Sequence, residues 1–221
     1  MTPDEILQEM YDQTLVGNGP RVLELTHQAL GMDMEPQSLL FDSLIPALEE
    51  VGARFERGDF FVPEMLIAGR AMAGSMEVLR PLLAETGVET IGKFVMGTVQ
   101  GDVHDIGKNL VCIMLEGAGF EVIDLGVQVK PEKFVAAVEE HKPDIVGFSA
   151  FLTTTMPMFK ANLNALTKAG LRDQVLVMVG GAPVTQEYAD AVGADGYAAD
   201  ASATVKRAKA MLKDRRAKVD A

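Results

Sequence analysis

The sequence predicts an α/β protein in two parts. An N-terminal antiparallel helical bundle over residues 1–88 is followed by a five-stranded parallel sheet, with helices on both faces, over residues 92–215. Three observations predict this. Up to about residue 85 the apolar residues recur at helical spacing. From about residue 92 short apolar runs alternate with amphipathic stretches, the rhythm of strand–helix units. Those runs are continuously apolar, which marks strands buried on both faces, as in a parallel sheet.

Taken in order, Thr2-Pro3-Asp4-Glu5 is a capping box with proline at the first helical position, so a helix starts there. Ile6, Leu7, Met10, Tyr11 and Leu15 follow at helical spacing, and Gly17-Asn18-Gly19-Pro20 ends the segment. A second, short helix covers about 20–30 and stops at Gly31. A third opens near Pro36 and carries Leu39, Leu40, Leu44, Leu48 and Val51 as far as Gly58. The fourth opens near Pro63 and holds Leu66, Ala73, Met76, Leu79 and Leu83. Four helices joined by short loops imply the bundle. Thr86–Ile91 reads as the joint between the two parts. Beyond it the apolar runs are Phe94–Thr98, Glu121–Asp124, Ile145–Ser149, Val175–Val179 and a weak fifth near Tyr197. Amphipathic stretches lie at about 107–118, 131–141, 156–169, 184–192 and 202–214. Five such strands favour the flavodoxin-like order 2-1-3-4-5. From Val205 onward seven basic residues face two acidic ones, the pattern of a solvated helix end whose cations complement its dipole.

Composition narrows the function classes. Of 221 residues, 48% are hydrophobic and 24% charged, enough apolar material to offset chain entropy and form a core. A net charge of −12 argues against nucleic acid as partner. No run approaches the roughly 18 apolar residues of a membrane span, and the acidic N-terminus lacks a basic-then-apolar leader, so a cytoplasmic location is expected. A single cysteine, Cys112, excludes an intrachain disulfide and a cysteine-cluster metal site.

In an open parallel sheet ligands bind beyond the carboxyl ends of the strands, near the switch in strand order. The first strand runs there into Gln100-Gly101-Asp102-Val103-His104-Asp105-Ile106-Gly107, with two glycines, two acids and one of the three histidines in the chain. Neither the Walker spacing nor the dinucleotide fingerprint is present, and the acids would repel phosphate. An Asp two residues before a His suits a metal-ligating imidazole that gives its other N–H to a carboxylate. With no second His nearby and no cysteine pair, one protein ligand suffices only if the metal arrives inside a macrocycle. On its own the Asp-x-His pair could equally tie down a loop.

Asp102-Val103-His104-Asp105-Ile106-Gly107 resembles the Asp-x-His-x-x-Gly signature of the cobalamin-binding domain of corrinoid methyltransferases. In that family a Ser-x-Leu follows the third strand and a Gly-Gly the fourth. Ser149 and Gly180-Gly181 stand at those places here, while Phe151 replaces the usual Leu. Phe55–Glu64 resembles the family's glycine-aromatic turn into a proline-glutamate helix start, so the likeness to the cap and cobalamin-binding domains of methionine synthase covers about residues 5–210. The resemblance implies that His104 is the lower axial ligand of cobalt in a base-off cobalamin or related corrinoid, displacing the cofactor's own base. It implies that Asp102 accepts from His104 and that the hydroxyl of Thr155 supports Asp102. It places the displaced nucleotide tail past Ser149 and Thr153, with Gly180, Gly181 and Ala201 leaving it room. Gly101, Val103, Asp105 and Ile106 would flank the corrin, and the bundle would cap its upper face.

The function implied is a methyl carrier cycling between cobalt(I) and methyl-cobalt(III). The chain carries no zinc-thiolate site or folate barrel of its own. It is therefore expected to work with a substrate-specific methyltransferase, a second methyltransferase that removes the methyl group, and a reductive activator. A cobalamin-dependent mutase subunit or a cobalamin-based sensor would share the sheet and loop, and a cofactor-free interaction module would share the fold. Elsewhere, Cys112 reads as a small core residue, His141 as a helix-end cation and His27 as a surface residue. Met65, Met72 and Met76 read as core filling, with lining of the cap as the alternative. Glu64 could point to the cofactor or to its own helix start.

Overall fold

In the computed structural model, residues 1–85 and 90–219 are described. The chain divides into two compact units, Met1–Thr90 with Glu116–Gly119 and Ile91–Leu115 with Phe120–Ala221. Most of the joint expected at Thr86–Ile91, namely residues 86–89, lies outside the described residues, as does the limit expected at residue 88.

The first unit opens with α1 (Pro3–Leu15), whose start is set by the expected capping box. Thr2 Oγ1 accepts from the Glu5 amide at 3.2 Å and Glu5 Oε2 accepts from the Thr2 amide at 2.8 Å. Next come α2 (Gly19–Leu30), α3 (Pro36–Leu39), α4 (Ile45–Arg57) and α5 (Val62–Glu85). Helix α1 packs on α2 and α4, and both of these pack on α5.

The third helix differs from the uninterrupted one expected. Leu40–Leu44 is a π-helical turn, closed by the Ile45 amide donating to the Leu40 carbonyl. Pro46 explains it: proline has no N–H to continue an α-helical ladder, and its ring crowds the carbonyl four residues back. On α5 the expected Met76, Leu79 and Leu83 are buried, together with Met65, Ala68 and Met72, while Leu66 and Ala73 are only half-buried at the edge of that face. Two polar contacts cross this core: the Thr26 hydroxyl donates to Ser75 Oγ at 2.8 Å, and Ser43 Oγ donates to the Leu7 carbonyl at 2.9 Å. Glu64 takes the second of its two readings, because its Oε2 accepts from the Phe61 amide at 2.9 Å and so caps its own helix.

The second unit follows the expected alternation: β1 (Lys93–Thr98), α6 (Ile106–Gly117), β2 (Glu121–Asp124), α7 (Pro131–His141), β3 (Ile145–Ser149), α8 (Pro157–Lys168), β4 (Leu176–Gly180), α9 (Gln186–Val192), β5 (Gly196–Tyr197) and α10 (Ala201–Val219). All pairs are parallel and the order is β2-β1-β3-β4-β5, as expected from the strand count. The fourth strand sits one residue later than the apolar run Val175–Val179. In register, Thr98, Ser149 and Gly180 stand side by side at the carboxyl edge. On one face of the sheet Val95, Val146, Phe148, Val177 and Val179 pack with Phe134 and Phe159, the rings of Phe134 and Phe148 meeting edge to face at 4.8 Å.

Lys206, Arg207, Lys213, Arg216 and Lys218 of the basic tail are exposed, as expected of a solvated helix end, and two arginines also dock on backbone carbonyls. Arg215 donates to the carbonyls of Asp144 and Gln174, and Arg216 to that of Ile91. The carbonyls lie in the segments that enter the strands; that of Asp144 also accepts from the Leu176 amide at 2.9 Å, so the guanidinium is a second donor there.

Beyond β4 the chain makes its closest approach. Gly181 has φ +133°, and a Cβ there would lie 1.9 Å from the Ala150 carbonyl oxygen. The glycine is therefore demanded by the fold's own backbone. Gly58 also has positive φ (+79°), where it ends α4, but a Cβ there would meet nothing within 4 Å. Gly181→Ala is expected to cost about 3 kcal/mol or more, from strain plus clash. Gly58→Ala should cost about 1–2 kcal/mol from strain alone. Urea unfolding of both variants checks this; equal losses would remove any energetic weight from the Ala150 approach.

Candidate functional site

The site is built on the carboxyl edge of the sheet. Pairing of β1 with β3 continues one residue past the strand, the Val99 amide donating to the Ser149 carbonyl at 3.0 Å. Gly101 (φ +84°) then turns the chain, and the Asp102 amide donates back to the Val99 carbonyl. The loop after β2 closes on the same turn, with the Gln128 amide donating to the Asp102 carbonyl at 3.0 Å. Thr98, buried at the strand end, donates its hydroxyl to the His104 carbonyl at 3.0 Å. The backbone around residues 98–104 is thus held from three directions before any side chain of the motif is considered.

The Asp102 side chain is 0% exposed and gathers five donors. Its Oδ1 accepts from the His104 amide at 3.0 Å and lies 2.7 Å from His104 Nδ1. Its Oδ2 accepts from the amides of Phe151 at 2.7 Å and Leu152 at 3.2 Å, and from the Thr155 hydroxyl at 2.8 Å. A carboxylate accepts only, so Nδ1 donates to Oδ1 and Nε2 is the ring nitrogen left facing away from the carboxylate. The imidazole is 43% exposed and stacks on the Phe151 ring, with centroids 4.2 Å apart and planes at 25°. Around it Val103 (58%), Ile106 (70%), Phe151 (51%) and Leu152 (40%) stand open, large apolar side chains left uncovered.

The motif residues therefore divide. Asp102, His104, Phe151 and Thr155 form one network, and Gly180 joins its scaffold by accepting from the Ala150 amide at 3.2 Å. Val103, Asp105, Ile106 and Gly107 are exposed on the loop and the first turn of α6. Ser149 is half-buried in the strand-end row. Thr153 is exposed and Ala201 buried at the start of α10, and neither takes part in the hydrogen bonds around Asp102. Cys112 is buried and His27 exposed, as read from the sequence, and Met65, Met72 and Met76 are buried. His141 ends α7, with its Nε2 3.9 Å from Glu140.

Sequence reasoning missed Thr98 and the pair Lys108–Asp124. Lys108 is buried, and its ammonium donates to Asp124 of β2 and, at 2.7 Å, to Asn109. The other Asp124 oxygen accepts from the Gly126 amide at 2.8 Å, which fixes the second loop against the first. A lysine in the first turn of a helix opposes the dipole, and that mismatch was the signal for a dedicated partner.

Burial alone would raise the Asp102 carboxyl, but the His104 and Phe151 amides, the imidazole and the Thr155 hydroxyl hold it well below the usual carboxylate range. A group depressed on folding contributes stability that is complete above its ordinary value near 3.8 and is lost as pH falls toward the folded value. Asp102→Asn is accordingly expected to cost about 2–4 kcal/mol at pH 7, because an amide faces donors where an acceptor stood. The gap to the wild type should narrow below pH 3.8, as followed by urea unfolding of both proteins at pH 7 and pH 3. A constant gap would exclude this carboxylate as the source.

Comparisons with known proteins agree with this geometry. Residues 92–206 match a family model described as a B12 binding domain, and residues 6–80 match a second model with that description. The dimethylamine corrinoid protein of Methanosarcina barkeri is 42% identical over 96% of this chain and 100% of its own length. Trimethylamine corrinoid protein 1 of Methanosarcina acetivorans is 40% identical over 95% of this chain and 98% of its own. Among solved structures, the methanol:cobalamin methyltransferase complex MtaBC of M. barkeri superposes with a TM-score of 0.84 at 30% identity, covering 95% of this chain and 80% of that one. With the loop, the sheet edge and these matches in agreement, the chain belongs to the family of B12-binding corrinoid proteins.

Proposed function

We propose that this corrinoid protein carries methyl groups on a base-off corrinoid whose lower axial cobalt ligand is Nε2 of His104. The observation that carries the reading is the Asp102 carboxylate, which occupies Nδ1 and so dedicates the opposite nitrogen to coordination. When bound, the corrinoid supplies the cobalt centre that takes up and gives up the methyl group.

The residues present fit such a group. Among the described residues no set of three or more His, Cys, Asp or Glu could hold a bare metal ion, so a lone imidazole suits a metal whose other bonds come from a macrocycle. The open side chains of Val103, Ile106, Phe151 and Leu152 offer apolar surface for a large flat ring to cover, at about 1 kcal/mol each. Ser149, Gly180 and Gly181, with Thr153 and Ala201, mark the route proposed for the displaced nucleotide.

In this scheme Asp102 would fix the tautomer and direction of the His104 ligand by holding its Nδ1–H. Thr155 supports that carboxylate, its single hydroxyl proton having two acceptors at 2.8 Å, Asp102 Oδ2 and the Leu152 carbonyl. The methyl group is loaded by a substrate-specific methyltransferase and removed by a second one, with a reductive activator restoring strayed cobalt(II). The names of the relatives at 40–42% identity point to methylamines as the donor class.

Purified protein mixed with hydroxocobalamin is expected to retain the cofactor's visible spectrum through gel filtration. In the cobalt(II) state, protein labelled with ¹⁵N-histidine should show a changed nitrogen splitting by electron paramagnetic resonance. His104→Ala should abolish that splitting, and Asp102→Asn should weaken cofactor binding about 10- to 100-fold. A splitting insensitive to the label would overturn the lower-ligand assignment. Methylation only by a methanol-specific partner would overturn the donor class.

A further inference from the structure

We infer that Phe151 is a positioning residue for His104, its ring setting the plane in which the imidazole presents Nε2. The inference rests on the lower-ligand reading above and extends it to the residue whose ring lies on the imidazole.

A hydrogen bond from Nδ1 to Asp102 Oδ1 pins one atom of the imidazole. The ring still has play in its torsions about Cα–Cβ and Cβ–Cγ, because a hydrogen bond tolerates some spread in distance and angle and, with 43% of the side chain exposed, the core does not take it up. A second contact to the face of the ring is needed, and Phe151 makes it, at 4.2 Å between centroids and 25° between planes.

The stacking ring is itself located by the same carboxylate. The Phe151 amide donates to Asp102 Oδ2 at 2.7 Å and the Leu152 amide to that oxygen at 3.2 Å. One buried carboxylate therefore holds the imidazole on one oxygen and the backbone of its stacking partner on the other. The two residues share a common reference, which fixes where the Phe151 side chain starts relative to the imidazole. Phe151 is 51% exposed, far more than a core phenylalanine such as Phe148 at 0%. Core packing does not account for an aromatic ring there, whereas a planar face for the imidazole does. A leucine could fill the volume but offers no such face. Offset aromatic pairs shift equilibria by about 2- to 12-fold, which sets the size of effect to seek.

The experiment uses the whole chain with Phe151→Leu and Phe151→Tyr. In the cofactor-free protein, the His104 ring protons, identified by their loss in His104→Ala, should be displaced upfield by the Phe151 ring current. They should move toward free-histidine shifts in Phe151→Leu and stay displaced in Phe151→Tyr. In protein loaded with cobalt(II) cobalamin and labelled with ¹⁵N-histidine, the ratio of imidazole-bound to imidazole-free cobalt should fall about 2- to 12-fold in Phe151→Leu, and Phe151→Tyr should keep it. An unchanged ratio in Phe151→Leu, with His104→Ala still abolishing the splitting, overturns the positioning role alone. Absence of protein nitrogen splitting in the wild type overturns the lower-ligand reading, and this inference with it.

Discussion

A single buried carboxylate organises the functional edge of this protein. Asp102 lies out of solvent with five donors on its two oxygens, drawn from its own loop and from residues about fifty positions later. A charge in that position is tolerable only while it is fully hydrogen-bonded, because an ionised group without partners costs several kcal/mol when removed from water. The requirement acts in both directions. The donors keep Asp102 ionised, and the ionised Asp102 keeps the loop after β1 and the turn after β3 in register. Satisfying that charge also fixes the Nδ1 end of His104.

The sheet prepares the ground on which this happens. In a doubly wound parallel sheet the carboxyl ends of neighbouring strands come level where the order reverses, here between β1 and β3. Thr98, Ser149 and Gly180 form a row across that level, and the loops that leave it inherit its geometry. The close approach of Gly181 to Ala150 sets the loop after β4 against the loop after β3. The Lys108–Asp124 pair and the Gln128 amide set the loop after β2 against the first. Each contact is ordinary, and together they leave the segment between Gly101 and Gly107 little freedom except at its exposed side chains.

Those exposed side chains are the reactive part of the surface. Val103, Ile106, Phe151 and Leu152 present apolar area to water beside a half-exposed imidazole. A rigid frame beneath and an uncovered apolar rim above is the arrangement expected of a site that takes up a large planar cofactor. Binding then needs no reorganisation of the backbone, and the stabilisation from covering the rim is available to hold the cofactor. The methyl-carrier function follows from where the protein's own chemistry ends: one imidazole, one carboxylate and one hydroxyl can tune a metal, but the group transfer belongs to the cofactor.

Much of this was legible in the residues themselves. Periodicity separated the bundle from the sheet, because helical and strand burial repeat at different intervals within a dozen residues. The strand order followed from strand count and continuous apolarity. The motif loop stood out because Asp, His and two glycines fall together after a strand, and the hydroxyl of Thr155 could be located from the spacing of a resemblance. Other features depended on groups far apart in the chain. The second and third amides on Asp102 come from Phe151 and Leu152, the stack on His104 comes from Phe151, and the partner of Lys108 is sixteen residues away on β2. The docking of Arg215 and Arg216 on the carbonyls of Asp144, Gln174 and Ile91 belongs with them. Local spacing determines which face a residue can occupy and where a turn must fall. Which groups then meet is decided by the superposition of segments in space, and only the folded chain brings a carboxylate within 2.7 Å of an amide 49 residues away.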